Sequence, residues 1–256
     1  PTRRSSDLIA ENEYVKEFLA VLQSNAVSGS KEFLEMIGYV GALEQRLAEA
    51  VDELKTMRQE LEKVQNHSLK AVLQRSYKAL ENNVAAMRQR LSELKSHIID
   101  GCKNALASIR EHGITALNGI ARFFHIKPAL ESMRQLADSS IRIDEKAIDK
   151  IQSFATEYHA AGKHLKNMGR TLVGKPPVEG AKSPGKIAKL FAAPYRADRA
   201  YMVSARKTID KAVDSLSRLE QAAQHRQSVL KTMRENSAKV QPPVQKAVPA
   251  ADKAER

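Results

Sequence analysis

Val40-Gly-Ala-Leu-Glu-Gln-Arg-Leu-Ala-Glu-Ala-Val-Asp-Glu-Leu-Lys-Thr-Met-Arg-Gln-Glu-Leu-Glu-Lys-Val64 is the stretch whose reading decides the fold. Val40, Leu43, Leu47, Ala50, Leu54, Met57, Leu61 and Val64 alternate at spacings of three and four, an unbroken heptad seam. A second seam follows in Leu73, Tyr77, Leu80, Val84, Met87, Leu91, Leu94 and Ile98. A helix that is apolar along one narrow stripe and polar elsewhere can bury that stripe only against another helix. The phase slips between the seams, on Gln65-Asn66-His67-Ser68, a poor helix stretch. Either the chain reverses there as a hairpin or the helix continues with altered supercoil. The hairpin is favoured, because the two seams then pack on each other. The expected fold is therefore all-α: an elongated helical bundle built on an antiparallel coiled-coil hairpin, with a long C-terminal helix joined by a linker.

Working outward, a short amphipathic helix is predicted from Asn12 to about Ser24, with Tyr14, Val15, Phe18, Leu19 and Leu22 on one apolar face. Asn25–Gly29 reads as a turn, with Ser28 or Ser30 as the next N-cap. Phe18 and Leu22 should fold back onto Phe33, Ile37 and Val40, with Gly38 and Gly41 either leaving room or simply tolerated. After Ile98, Gly101 marks a turn or sits inside a continuing helix. A further helix is predicted over Ile114, Leu117, Ile120, Phe123 and Phe124, weakened by Gly113 and Gly119. Pro128 should open the next helix, which reaches Met168, with a possible break near Asp138–Ser140.

Val173–Lys186 is rich in Gly, Pro and Lys and reads as a linker. Pro194 should interrupt the chain after it. A last helix is predicted from about Arg196 to Asn236, with a seam of Met202, Ala205, Ile209, Ala212, Leu216, Leu219, Ala223, Leu230 and Met233, broken by Arg226. The Ala/Pro/Lys-rich residues 238–256 are expected to be a disordered tail. At the other end, residues 1–8 resemble a translated sequencing adapter and are set aside. The regions are thus 9–127 for the hairpin, 128–172 for a helical region, 173–186 for the linker and 187–237 for a basic C-terminal helix.

The 256 residues carry a formal net charge of +12, unevenly spread. Residues 1–64 hold 8 Lys/Arg against 12 Asp/Glu, whereas residues 174–256 hold 17 against 8. That positive third could attract nucleic acid, an anionic membrane or an acidic partner. The single Cys102 excludes an internal disulfide framework and suits a reducing compartment. It reads as a small core residue. No run of about 18 apolar residues suggests an integral membrane segment.

Three stretches carry a resemblance: Asn12-Glu-Tyr-Val-Lys-Glu-Phe-Leu, Lys31-Glu-Phe-Leu-Glu-Met-Ile-Gly-Tyr-Val and Ala50-Val-Asp-Glu-Leu-Lys-Thr-Met-Arg-Gln-Glu-Leu. They resemble an uncharacterised all-helical family carried on bacterial conjugative or integrative mobile elements, over about residues 10–170. The resemblance implies a cytoplasmic mobile-element protein. It brings no catalytic, metal or cofactor residues with it.

Nor do the residues offer any. Gly169-x4-Gly174-Lys175 and Gly180-x4-Gly185-Lys186 match the first part of a phosphate-binding loop, but Pro176 and Ile187 stand where a Mg²⁺-reaching Ser or Thr is needed. His159 and His164 are five apart and lie on different helix faces, so they do not make a zinc pair. No catalytic residue, cofactor or metal is expected, and the chain reads as no enzyme. The one suggestive set is Lys186, Lys189, Arg196, Arg199, Arg206 and Lys207, interleaved with Phe191, Tyr195 and Tyr201. It could track phosphates of nucleic acid, or be a solvated helix face with aromatics packed inward. The leading expectation is a non-enzymatic interaction or scaffold protein that pairs or self-associates through helices. The alternative is a non-specific nucleic-acid-binding accessory protein.

Overall fold

The computed structural model describes residues 8–63, 67–117, 124–172 and 186–239. Residues 1–7, the 64–66 connection, residues 118–123, most of the linker (173–185) and residues 240–256 of the tail lie outside the described residues, as do the side chains of 67–69, 72, 116–117, 154, 156–172, 186–187, 223, 226–227, 230 and 238–239. Among the described residues the chain is helical, with no strand: α1 (Glu13–Ser24), α2 (Ser30–Glu62), α3 (His67–His112), α4 (Lys127–Leu172) and α5 (Lys186–Lys239). Two 3-10 turns, Ile9–Glu11 and Ile114–Leu117, complete it. The 46 residues of α3, and likewise of α4, run about 69 Å at 1.5 Å per residue.

The helix starts follow from local chemistry. The Asn12 side chain accepts from the backbone N–H of Tyr14 at 3.1 Å and of Val15 at 3.4 Å, so α1 begins where the sequence places it. The expected serine cap on α2 is corrected: the N-cap is Gly29, at φ 89°, with no side-chain bond. A left-handed cap is open to glycine at little strain, and the serines on either side do not fit it. A methyl group added at Gly38 or Gly41 would meet no atom within 4 Å, so these glycines are tolerated rather than required for close contact.

The long helices pair in a defined sense. The Tyr77 hydroxyl donates to the Leu54 carbonyl, and Lys95 pairs with Glu44, so α2 and α3 are antiparallel, the favoured of the two arrangements open to the seams. On α4 and α5, Arg199 bonds Glu145, Arg206 bonds Asp138 and Arg134 bonds Asp210, which makes that pair antiparallel in one register. Arg218 reaches Glu35 and Lys211 lies over the Tyr39 ring, so α5 is antiparallel to α2 as well. Asn83 meets Asp198 and Ser76 meets Tyr195, so α3 and α5 run parallel.

One continuous core results. It holds Leu43 and Leu47 of α2, Val84, Leu94 and Ile98 of α3, Leu130 and Met133 of α4, and Met202, Ile209 and Leu216 of α5. The hairpin region, the 128–172 region and the C-terminal helix therefore all feed that one core. Near the start of α2 the core is aromatic. Phe18 meets Phe33 edge-on at 5.2 Å, and Phe124 lies 4.8 Å from Phe33 and 5.8 Å from Phe18. Cys102 is buried, and burial pushes its thiol up to about 12, as suits a core residue.

Several boundaries differ from the sequence reading. Gly101 sits within α3, which ends at His112, just before Gly113 at φ +73°. Of the helix expected over 114–124, Ile114–Leu117 is a 3-10 turn, Ile120 and Phe123 lie outside the described residues, and Phe124 and Ile126 are buried outside any helix. No break occurs at Asp138–Ser140, because Ala137 and Ser140 are buried and hold the segment against its neighbours. Pro194 does not interrupt the chain. α5 begins at Lys186 and runs through it. One missing N–H is outweighed there by packing on both sides, at Ala192 and Met202.

Candidate functional site

α5 carries the basic set that the sequence singled out, and the bundle divides it. Lys189, Arg196 and Lys207 are exposed. They are seven and then eleven residues apart, so they share one face of α5. Arg199 and Arg206 are engaged within the chain. Both Nε and an Nη of Arg199 donate to one Glu145 oxygen, at 2.9 and 2.7 Å. Arg206 donates to Asp138 at 2.5 Å and to Asp210 at 3.0 Å. The side chain of Lys186 lies outside the described residues.

The interleaved tyrosines face inward. The Tyr195 hydroxyl donates to Ser76 Oγ at 3.1 Å. Tyr201 lies against the core, and its phenol is pushed up by burial and then by the charge of Asp198. Neither ring is presented for stacking on a base. Arg196 itself shares a shallow hollow with Glu145, Ile148, Asp149, Arg199 and Ala200, so its field is partly offset by two carboxylates.

Beneath this surface lies a feature that the sequence reading passed over. Asp144 of α4 and Asp198 of α5 are each 2% exposed. Asp198 Oδ2 accepts from the Asn83 side-chain amide of α3 at 2.6 Å, and the carboxyls of Asp144 and Asp198 are close enough to interact directly. Asp144 Oδ2 and Asp198 Oδ1 are the buried side-chain oxygens without a donor among the described residues. Two carboxylates so placed cannot both be ionised at modest cost, so the arrangement favours one shared proton. Burial first, and Asp198 second, raise the Asp144 carboxyl to about 8. Burial also raises Asp198, against the pull of Asn83 and Asp144.

The pair had a sequence signal. Leu130, Met133, Ala137, Ser140, Asp144 and Ile151 fall in one seam of α4, and Asp198 continues the Met202–Leu219 seam one step toward the N-terminus. Aspartate at a seam position is a polar residue where the pattern calls for an apolar one.

A neighbouring void of about 10 Å³, lined by Ala50, Leu54, Leu80, Ala197 and Tyr201 among others, has room for one water at most. Among the described residues no group of three or more His, Cys, Asp or Glu could hold a metal ion. No helix there is long and apolar enough to cross a membrane. His159 and His164 have their side chains outside the described residues. The second phosphate-loop match lies in 180–186 and, apart from Lys186, falls outside them too, while Gly169 of the first lies in α4.

A family model described as a family of unknown function (DUF6674) matches residues 11–256. No curated protein and no solved structure matches the chain.

Proposed function

We propose that this chain, which belongs to the family of unknown function DUF6674, is a non-enzymatic helical interaction protein whose partner-binding element is the free end of α5. The observation that carries this reading is the overshoot of α5. The register of the α4–α5 ion pairs sets Lys127, the first residue of α4, opposite Ser217. That of Glu35 and Arg218 sets Ser30, the first residue of α2, opposite Ala223. Beyond Ala223, α5 continues to Lys239, about 24 Å further at the helical rise, past the first residues of both α2 and α4.

Every described side chain from Gln224 to Ser237 is exposed, Met233 at 60%. Yet the seam that is buried at Leu216 and Leu219 continues in sequence through Ala223, Leu230 and Met233. A helix of this length is marginal alone in water, so an apolar stripe on it favours a partner helix. The mobile-element setting and a cytoplasmic location, both implied by the family resemblance, are part of this proposal.

A photo-crosslinker at Met233 should capture a discrete adduct, a second copy or another protein, that the same group at exposed Lys55 does not. With the crosslinker moved one turn back to exposed Val229, Met233→Asp should abolish the adduct without moving the melting temperature by more than about 2 °C, as for a surface change. Equal labelling from both positions would remove the arm as the binding element.

A second reading has one observation in its favour, the common face of Lys189, Arg196 and Lys207. If that face tracks phosphates, replacing all three with Gln should flatten the salt dependence of DNA affinity by up to about 3, at roughly 0.9 per contact. Fluorescence anisotropy across a salt series measures this, and no binding at low salt would end the nucleic-acid reading.

A further inference from the structure

We propose that the α4–α5 joint is a proton-operated latch, in which one proton held between Asp144 and Asp198 keeps α5 docked and its loss at rising pH loosens α5 along that joint. This does not depend on what the free end of α5 binds.

The geometry carries the proposal. The two carboxyls sit on different helices, in the middle of the seam that joins them, and both are closed off from water. Each has an oxygen that no donor among the described residues meets, and a shared proton is the one group that satisfies both at once. Once that proton passes to solvent, two anions face each other across the interface in a medium of low dielectric. The groups around the pair do not supply a compensating cation. From α3 comes the neutral amide of Asn83. On α4, the next residue Glu145 adds negative charge. On α5, Arg199 attracts Asp144, but its guanidinium is held by Glu145 at 2.7 Å, and Tyr201 is a neutral phenol. From α2, Glu53 lines the small void beside Ala197 and Tyr201 and is acidic as well. The strain of ionisation therefore falls on the helix–helix contact itself.

The direction with pH follows. Both folded-state carboxyls hold their proton more tightly than an unfolded Asp does, whose value is 3.8. The native chain thus binds more protons than the unfolded chain above that value, and stability falls as pH rises. The pair's contribution is complete in acid and is lost by about pH 8, where Asp144 ionises.

The test is the melting temperature of the full chain between pH 5 and pH 8.5, with Asp144→Asn as the comparison. An asparagine there donates permanently to Asp198 and has no proton to lose. The wild type should lose roughly 5–10 °C more than the variant across this range, and the variant should melt above the wild type at pH 8.5. Hydrogen exchange, corrected for the intrinsic rate at each pH, should show the added opening at high pH centred on α5 around Asp198. Parallel slopes for the two chains, or an opening spread evenly along the molecule, would overturn the latch. If Asp144→Asn does not fold, the infrared carbonyl band of a protonated carboxyl decides. Its presence at pH 6.5 and loss by pH 9 in the wild type supports the latch, and its absence at pH 6.5 ends it.

Discussion

Ile209→Asp should strip α5 from the bundle and cost about 4 kcal/mol or more, the range of an unpaired charge placed in a core. Ile209 is fully buried at the centre of the α5 seam, between Ala205 and Ala212, which are also fully buried. Its surroundings are apolar, so the new carboxylate meets no donor and takes up a proton instead. That gives the prediction a second signature. The deficit against wild type, read from urea unfolding, should shrink as pH falls toward 4, because the protonated acid is the tolerated form. A deficit below about 1 kcal/mol at pH 7 would mean that α5 contributes little to the folded body.

Phe33→Ala should cost about 3–5 kcal/mol, the usual range for removing a buried ring. The ring is fully buried where α1, α2 and the segment before α4 converge, and it touches both Phe18 and Phe124. Its loss leaves a cavity bordered by three chain segments that are far apart in sequence, so collapse around it is limited. A double-mutant cycle with Phe124→Ala should return a coupling of roughly 0.5–1.5 kcal/mol beyond area burial, as expected for ring pairs at this separation. The neighbouring Leu34 is the control. It is 47% exposed, and Leu34→Ala should stay within about 0.5 kcal/mol. If Phe33→Ala and Leu34→Ala melt alike, the aromatic cluster does not organise that end of the bundle.

The α5 ion pairs explain why the basic stripe was hard to interpret as a sequence. Arg196, Arg199, Arg206 and Lys207 look alike on a helical wheel, and all sit in the basic C-terminal third. Two are taken up by Glu145 and Asp138, which lie 54 and 68 residues earlier on another helix. The partners are ordinary exposed acids on α4 in any local reading. Half-exposed pairs of this kind contribute little energy each, and their effect is on register and on which cations remain free.

Local pattern was enough for much of the fold. The three-four spacing of Leu80, Val84, Met87, Leu91, Leu94 and Ile98 dictates a narrow apolar stripe on a helix, and all six are buried. Asn12 announces the start of α1, because a cap acts on N–H groups two and three residues away. Where local propensity was the only guide, it failed: at Pro194, at Asp138–Ser140 and at Phe124. In each place contacts from distant segments outweigh a local preference worth a few kcal/mol at most. The sequence by itself determined that this protein is a set of long helices with seams to bury, since periodicity is written residue by residue. Only the tertiary structure decided that Asp144 and Asp198 meet, that Asn83 holds one of them, and that Arg199 is tied to Glu145. Those outcomes depend on how far α4 slides along α5, and one helical turn of slip, about 5.4 Å, would pair other residues at no change in either helix's own pattern.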